Sequence, residues 1–252
     1  MADVLFALLL REFQTRFGSR RMGAFWMIFE PAIHVLVMLF IFSMLRANSI
    51  QGMDYPIFLL TGMIPFFMMR NIAQKLMDSV GANQALFAYP NIKILDTYIA
   101  RTLVEIIIYS LIYIIFIFIL GYWFALDVNI AHPIGFLGAL LVGILFSFGL
   151  GILLSILVQA APSLKSFIGI MFMAFYFLSG VIFPLWIIPE KYLNWLLLNP
   201  YAHIISNIRD SVFAYYPDIS GVNMTYPTIV TIVILFCALG LYKVRKERLL
   251  MK

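Results

Sequence analysis

Residues 106–125 read IIIYSLIYIIFIFILGYWFA, twenty consecutive positions without a charged side chain. A stretch of this length and composition predicts a helix that crosses the hydrocarbon core of a bilayer, which takes about 20 apolar residues. The rest of the chain agrees, because 63% of its 252 residues are hydrophobic and only 12% are charged. Soluble domains hold about 45–50% apolar and about 25% charged residues. We therefore expect an integral membrane protein, and the composition excludes a disordered chain, a secreted disulfide scaffold and a soluble α/β enzyme.

The remaining sequence divides into further membrane segments, separated by turns and prolines. We predict an all-α membrane protein with six transmembrane helices, formed by residues 23–45, 56–80, 106–125, 133–158, 166–183 and 226–242. Residues 184–216 are apolar but broken by three prolines, which predicts short or re-entrant helices between the fifth and sixth spans. The whole chain, residues 1–252, is expected to form a single transmembrane domain.

Residues 1–22 are predicted to form an amphipathic helix that lies at the membrane surface. Apolar side chains recur at helical spacing on one face, at Phe6, Leu10, Phe13 and Phe17. No Lys or Arg precedes the apolar run 4–10, so the segment does not resemble a secretory signal peptide. A cytoplasmic extension of the first span is the alternative interpretation.

The distribution of cations predicts how the spans are oriented. If the N-terminus is cytoplasmic, fourteen of the 17 Lys and Arg residues lie in cytoplasmic segments, and three lie in outer segments: Arg46, Lys191 and Arg209. The positive-inside rule then places both termini in the cytoplasm. The net charge of +5 is explained by these topological anchors, and it does not call for a nucleic-acid partner.

The chain carries no sequence motif of a known catalyst. The phosphate-binding pattern G-x-x-x-x-G-K-[ST] is absent, as are H-E-x-x-H and C-x-x-C, and the single Cys237 lies in an apolar run. We therefore expect no catalytic residue, no metal site and no cofactor in this chain itself.

Ionisable and aromatic residues inside the predicted spans are the candidates for a substrate path. Glu30 and His34 are four residues apart and share one helix face, while Arg70 is either a pore cation or a partner of Glu30. Four residues of the fifth span share another face, namely Phe172, Phe175, Tyr176 and Ser179. Their rings either pack against other helices or offer weak stacking surfaces to passing sugar rings.

Four groups of residues follow one another in a recognisable order. They are LREFQTRFG at 10–18 with RMGAFW at 21–26 and EP at 30–31, LTGMIPFF at 60–67, NQALFAYPNI at 83–92 leading to Asp96 and Arg101, and LNP at 198–200 with Arg209 beyond it. Together they resemble the permease subunit of ABC-2 type polysaccharide exporters, and most closely the capsular polysaccharide export permease. The resemblance extends over essentially the whole chain.

The resemblance implies a permease homodimer in the bacterial inner membrane, bound to two separate ATPase subunits that hold ATP and Mg²⁺. Residues 82–95 would form the segment that couples to the ATPase, through Asn83, Leu86, Tyr89, Pro90 and Lys93. Residues 184–216 would form an outer gate. The substrate would be a lipid-linked, often acidic, capsular glycan, and periplasmic co-polymerase and outer-membrane export proteins would be further partners.

Other functions are open at this point. An ABC-2 exporter of O-antigen, teichoic acid or a drug would fit the same features. A secondary transporter would show internal repeats and charges near the bilayer midplane, and the sequence contains no convincing repeat. A membrane-embedded enzyme would need a nucleophile with its base, or a set of metal ligands, and neither is apparent in the sequence.

Overall fold

The computed structural model describes residues 2–17, 29, 32–41, 49–50, 52–89 and 91–250. The described helices are α1 (Ala2–Phe17), α2 (Ala32–Ile41), α3 (Tyr55–Met77), α4 (Ser79–Ala82), α5 (Ile94–Trp123), α6 (Pro133–Ala160), α7 (Leu164–Leu178), α8 (Glu190–Leu196), α9 (Pro200–Val212) and α10 (Thr225–Leu250). Short 3-10 turns span Gln84–Ala88 and Leu185–Ile187. Strands β1 (Ser49–Ile50) and β2 (Met53–Asp54) form a small antiparallel hairpin.

Four of the described helices are long and apolar enough to cross a membrane. They are α3, α5, α6 and the Thr225–Lys246 part of α10. Two shorter apolar helices, α2 and α7, fall within the predicted first and fifth spans. The protein is therefore a helical, multi-pass membrane protein. Most of the predicted first span, residues 23–45, lies outside the described residues.

Three helix boundaries differ from the sequence prediction, and each difference has a local cause. Helix α5 begins at Ile94 rather than at 106, because the Asp96 carboxylate accepts the backbone N–H of Lys93 at 3.0 Å and caps the first turn. Helix α7 ends at Leu178 rather than at 183, because Gly180 adopts a left-handed conformation with φ 71°. Helix α10 continues from its apolar part into the basic C-terminal residues.

Helix α3 lies at the centre of the protein. It packs against α5, α6 and α9, and most of its side chains are buried. The approach of α6 is close, since a methyl group added at Gly151 would lie 3.1 Å from the backbone of Ala73. Small residues at such crossings let the backbones of membrane helices come together, and here they bring the residues of α3 into the middle of the bundle.

The segment after α7 folds into the short helices that its prolines predict. Helix α9 begins at Pro200, after Asn199, whose side-chain oxygen accepts the N–H of Tyr201 at 3.1 Å. Helix α9 then packs against α3 and α6. This segment therefore packs as part of the protein core, and it is more than a connection between two spans.

Candidate substrate path and coupling segment

Three of the residues predicted to line a substrate path lie together where α2, α3 and α7 meet. The imidazole of His34 meets the ring of Phe67 edge-on, with 5.0 Å between ring centroids. Tyr176 stacks on Phe67 with a centroid distance of 5.3 Å and an interplanar angle of 19°. Arg70 lies one turn beyond Phe67 on α3, within electrostatic range of His34. We call His34, Phe67, Arg70 and Tyr176 the path cluster.

The path cluster combines an open side with enclosed polar atoms. His34 is exposed, Arg70 is half-buried and Tyr176 is 7% exposed. The Nε of Arg70 and the hydroxyl of Tyr176 are enclosed, and neither has a hydrogen-bond partner among the described residues. Buried polar groups usually have partners, so these two atoms are exceptions among the described residues. Glu30, the predicted companion of His34, lies outside the described residues.

The other predicted path residues of this region pack inside the protein. Phe172 and Ser179 are fully buried, and Phe175 is half-buried. The ring of Phe175 contacts Phe172 edge-on at 6.2 Å and Tyr201 of α9 at 6.1 Å. The Ser179 hydroxyl accepts a hydrogen bond from the side chain of Asn199 at 2.8 Å. These contacts join α7 to α9 and leave Tyr176 as the member of this set that belongs to the path cluster.

Phe67 was not singled out from the sequence, although a signal for it exists. It precedes Arg70 by three residues, and residues three apart in a helix share a face. A charged residue within a span therefore also marks its helical neighbours as candidates.

The predicted coupling residues divide into supporting and exposed positions. Asn83 is buried: its Nδ2 donates to the carbonyl of Ser79 at 3.0 Å, and its Oδ1 accepts from Nη1 of Arg11 at 2.8 Å. Leu86 is half-buried, whereas Tyr89 is 63% exposed and Lys93 is also exposed. Pro90 lies outside the described residues. A protein partner docking on this segment would therefore meet Tyr89 and Lys93, while Asn83 holds the segment in place.

A buried ion pair ties α1 to the same end of the protein. The Nε of Arg101 on α5 donates to a carboxylate oxygen of Glu12 at 2.8 Å, and both side chains are only 10% exposed. The Nη1 of Arg101 donates to the backbone carbonyl of Lys75 near the end of α3, also at 2.8 Å. We call the contacts of Arg101 with Glu12 and Lys75 the cytoplasmic clamp, following the predicted orientation. It joins α1, α3 and α5 next to the coupling segment.

Arg209 holds the opposite end together, and its position corrects the sequence interpretation of an outer topological anchor. It is fully buried on α9, with its guanidinium carbon 3.5 Å from the centre of the Phe58 ring. It donates to the carbonyls of Phe58 at 3.0 and 3.2 Å, of Gly180 at 2.6 Å and of Val181 at 2.6 Å. A methyl group at Gly62 would overlap its Nη2. We call these contacts the outer clamp; they join α3, α9 and the end of α7.

His203 connects the segments near the outer clamp. Its Nδ1 accepts the backbone N–H of Asn223 at 3.1 Å, so its Nε2 carries the proton that is donated to the carbonyl of Leu197 at 2.8 Å. Burial lowers the pKa of His203 below its ordinary value. The neutral ring therefore joins α9 to the residues before it and to the approach to α10.

Within the described residues, no group of three or more His, Cys, Asp and Glu side chains is placed to hold a metal ion. The arrangement combines a polar and aromatic cluster between helices with a partly exposed polar segment at one end of the protein. Residues 3–213 match the family described as ABC-2 type transporter. Because that match covers most of the chain, the protein belongs to the ABC-2 type transporter family.

Several relatives indicate which members of this family the chain resembles. The chain is 36% identical over 245 residues to the polysialic acid transport protein KpsM of Escherichia coli, covering 97% of this chain and 94% of that protein. It is 30% identical over 214 residues to the capsule polysaccharide export inner-membrane protein CtrC of Neisseria meningitidis serogroup A, covering 83% and 79%. It is 27% identical over 213 residues to the capsule polysaccharide export inner-membrane protein BexB of Haemophilus influenzae, again covering 83% and 79%.

Proposed function

We propose that the protein is the permease subunit of an ABC exporter that moves a lipid-linked capsular polysaccharide across the bacterial inner membrane. The observation that carries this proposal is the likeness of nearly the whole chain to permeases named for the transport of polysialic acid and capsule polysaccharide. The chain itself has no phosphate-binding loop, so separate ATPase subunits bind ATP with Mg²⁺ and hydrolyse the ATP.

The working assembly is a permease homodimer with two ATPase subunits, six spans in each permease and both termini in the cytoplasm. The first and fifth spans contain α2 and α7. Helix α7 buries Ile168, Phe172 and Tyr176 and exposes apolar side chains such as Phe167 and Ile170, a surface that lipid or the second permease covers. The cation distribution supports the orientation. Periplasmic co-polymerase and outer-membrane export proteins receive the polymer.

Coupling to the ATPase runs through residues 82–95. The exposed positions of this segment, including Tyr89 and Lys93, offer a surface for the ATPase, and the buried Asn83 fixes that surface relative to α1. Helix α1 lies along the membrane surface, where its exposed Phe6 and Leu10 enter the lipid. Movement of the ATPase subunits is then transmitted to α3 and α5, which flank the segment.

The glycan passes beside the path cluster. Glu30, His34, Arg70 and Tyr176 line this path, and Phe172, Phe175 and Ser179 support it from behind. A moving polymer needs contacts that are weak and repeated, because a single tight site would stall it. Aromatic faces supply such contacts, each worth about 1 kcal/mol.

Export by a reconstituted complex tests this function. The permease and its ATPase partner are placed in proteoliposomes with a lipid-linked capsular oligosaccharide. We expect translocation that depends on ATP, and no ATPase activity from the permease alone. The variants Tyr89→Ala and Lys93→Glu should lower translocation at least about tenfold at normal permease levels, which corresponds to losing about 1.4 kcal/mol of coupling free energy.

Tyr122→Ala is the matched control, since Tyr122 is also a strongly exposed tyrosine, near the far end of α5. It should translocate as the unmodified protein does. Normal translocation by the Tyr89 and Lys93 variants would show that the ATPase docks elsewhere. ATP hydrolysis by the purified permease alone would contradict the assignment of a permease subunit.

A further inference from the structure

Arg70 differs from the two buried arginines of the clamps. Arg101 is paired with Glu12, and Arg209 donates to backbone carbonyls. Arg70 has neither kind of partner among the described residues, and its Nε is enclosed. An unpaired guanidinium inside a membrane span is costly. Its position therefore points to a ligand that supplies the missing acceptor.

The place of Arg70 along α3 sets it apart from the cation at the end of that helix. At 1.5 Å per residue, it lies about 22 Å from the start of α3 at Tyr55 and about 10 Å from its end at Met77. The exposed Lys75 already provides a cation in the last turn. Arg70 instead lies in the bundle, one turn from the aromatic ring of Phe67.

The surroundings of Arg70 offer one further donor beside a pair of stacked rings. The exposed imidazole of His34 meets the Phe67 ring edge-on, and Arg70 is within electrostatic range of that imidazole. Phe67 in turn stacks on Tyr176, and both rings are buried. A guanidinium and an imidazole held beside this packed pair suit a ligand that has anionic oxygens.

We propose that Arg70, with His34, binds an anionic oxygen group of the exported glycolipid, a carboxylate of its sugars or a phosphate of its lipid anchor. This inference rests on the export function proposed above. A guanidinium fork binds carboxylate and phosphate through paired hydrogen bonds, and the exposed imidazole of His34 adds a second polar group within electrostatic range of it. A neutral sugar would leave Arg70 unpaired, so the site favours anionic substrates.

Binding measurements on the permease–ATPase complex in nanodiscs test the site. Three fluorescent probes are compared: a lipid-linked acidic oligosaccharide, the same molecule with its carboxyl groups reduced to alcohols, and the phosphorylated lipid anchor without glycan. The unmodified protein should bind the acidic probe about tenfold more tightly than the reduced probe. Arg70→Gln should abolish that ratio, and His34→Gln should lower it.

Two further variants separate a ligand site from general damage. Arg70→Lys should keep part of the preference, because an ammonium retains the charge without the planar fork. Lys75→Gln removes a cation five residues along the same helix and should leave the preference intact. Should Arg70→Gln fail to insert or fold, His34→Gln and Arg70→Lys still measure the ratio.

The outcomes distinguish the two anionic groups and the two proposals. If carboxyl reduction has no effect but Arg70→Gln weakens binding of the phosphorylated anchor, the bound group is the anchor phosphate, as the shared chemistry allows. If Arg70→Gln weakens acidic and reduced probes equally, or if Glu30→Gln restores the Arg70→Gln variant, Arg70 has a structural role and the site is overturned. If the unmodified protein binds none of the probes, the export function itself is contradicted.

Discussion

The cytoplasmic clamp and the outer clamp both bury an arginine, yet they stabilise it in opposite ways. Arg101 is neutralised by the carboxylate of Glu12, whereas Arg209 has carbonyl dipoles and an aromatic face around it. The first depends on two side chains that are 89 residues apart in the chain, one on α1 and one on α5. The second depends on the backbone at the end of α7 and on the space left by Gly62.

The difference between the two clamps indicates which end of the protein can move. Glu12 and Arg101 can separate by rotating side chains, and α1 and α5 remain intact as helices. Arg209 cannot leave without exposing the carbonyls of Gly180 and Val181, which lie beyond the last turn of α7 and have no partner within that helix. We therefore infer that the outer clamp is a fixed junction and that the cytoplasmic clamp can open.

Removing Arg209 should have the largest effect on stability. Arg209→Met keeps much of the side-chain length but leaves the carbonyls of Gly180 and Val181 buried and unsatisfied, whereas the carbonyl of Phe58 still accepts the Thr61 hydroxyl. The expected loss is roughly 3–5 kcal/mol, since each orphaned buried acceptor costs about 1–3 kcal/mol. Thermal unfolding of the detergent-purified protein measures it. A midpoint within a degree of the unmodified protein would contradict the outer clamp.

A second variant perturbs the outer clamp without changing Arg209. Gly62→Ala puts a methyl group where Nη2 of Arg209 lies, so it should cost about 1–3 kcal/mol. Gly138→Ala is the matched control in α6, where an added methyl group meets nothing within 4 Å. A similar loss from both variants would mean that glycine itself, and not the room for Arg209, matters at position 62.

The cytoplasmic clamp should show a smaller and recoverable effect. Glu12→Gln leaves the guanidinium of Arg101 largely buried without its counter-charge, and we expect a loss of about 2 kcal/mol, between the values for exposed and buried pairs. Arg101→Gln combined with Glu12→Gln should regain part of that loss. A double-mutant cycle measures the coupling between the two side chains. Strictly additive losses would show that they do not act as a pair.

The smallest expected effect is a pH dependence on the outer side. Because burial lowers the pKa of His203, the folded protein favours the neutral ring. This contribution is complete above the ordinary histidine pKa of about 6.5 and is lost as the pH falls below it toward the lowered value. Thermal midpoints between about pH 5 and 8 should therefore decline on acidification, and less so in His203→Gln.

His132→Gln is the control for that titration, because His132 is an exposed histidine on the same side. It should leave the pH dependence of the unmodified protein unchanged. If His203→Gln retains the full decline, other groups are responsible for it.

Local features of the fold were predictable, and long-range contacts were not. The start of α6 at Pro133 and the short helices after Pro184 follow from apolar runs and prolines, which act within a few residues. The pairing of Glu12 with Arg101 brings two distant charges together, and no local pattern indicates it. The burial of Arg209 was also missed, because its carbonyl partners come from α3 and from the end of α7. Every residue has a backbone carbonyl, so no sequence pattern indicates which carbonyls will accept from Arg209.

The same division between predictable local features and unpredictable long-range contacts applies to the candidate site. Arg70 could be identified from the sequence because it is a charged residue within a predicted span. Phe175 and Tyr176 could be identified because helical spacing places them on one face of α7. Which of these rings faces α2 and which packs on α9 depends on how α7 is turned within the bundle. That rotation is set by contacts such as Ser179 with Asn199, which join segments twenty residues apart.

Helix α3 is both the least apolar and the most enclosed of the four long apolar helices. During synthesis it leaves the ribosome before α5, α6 and α9, the helices that later surround it. Lipid is a poor environment for its Arg70, so α3 gains little by partitioning into the bilayer alone. Stable insertion of α3 therefore requires the helices that are synthesised after it. The order in which the helices are synthesised thus affects how this protein assembles in the membrane.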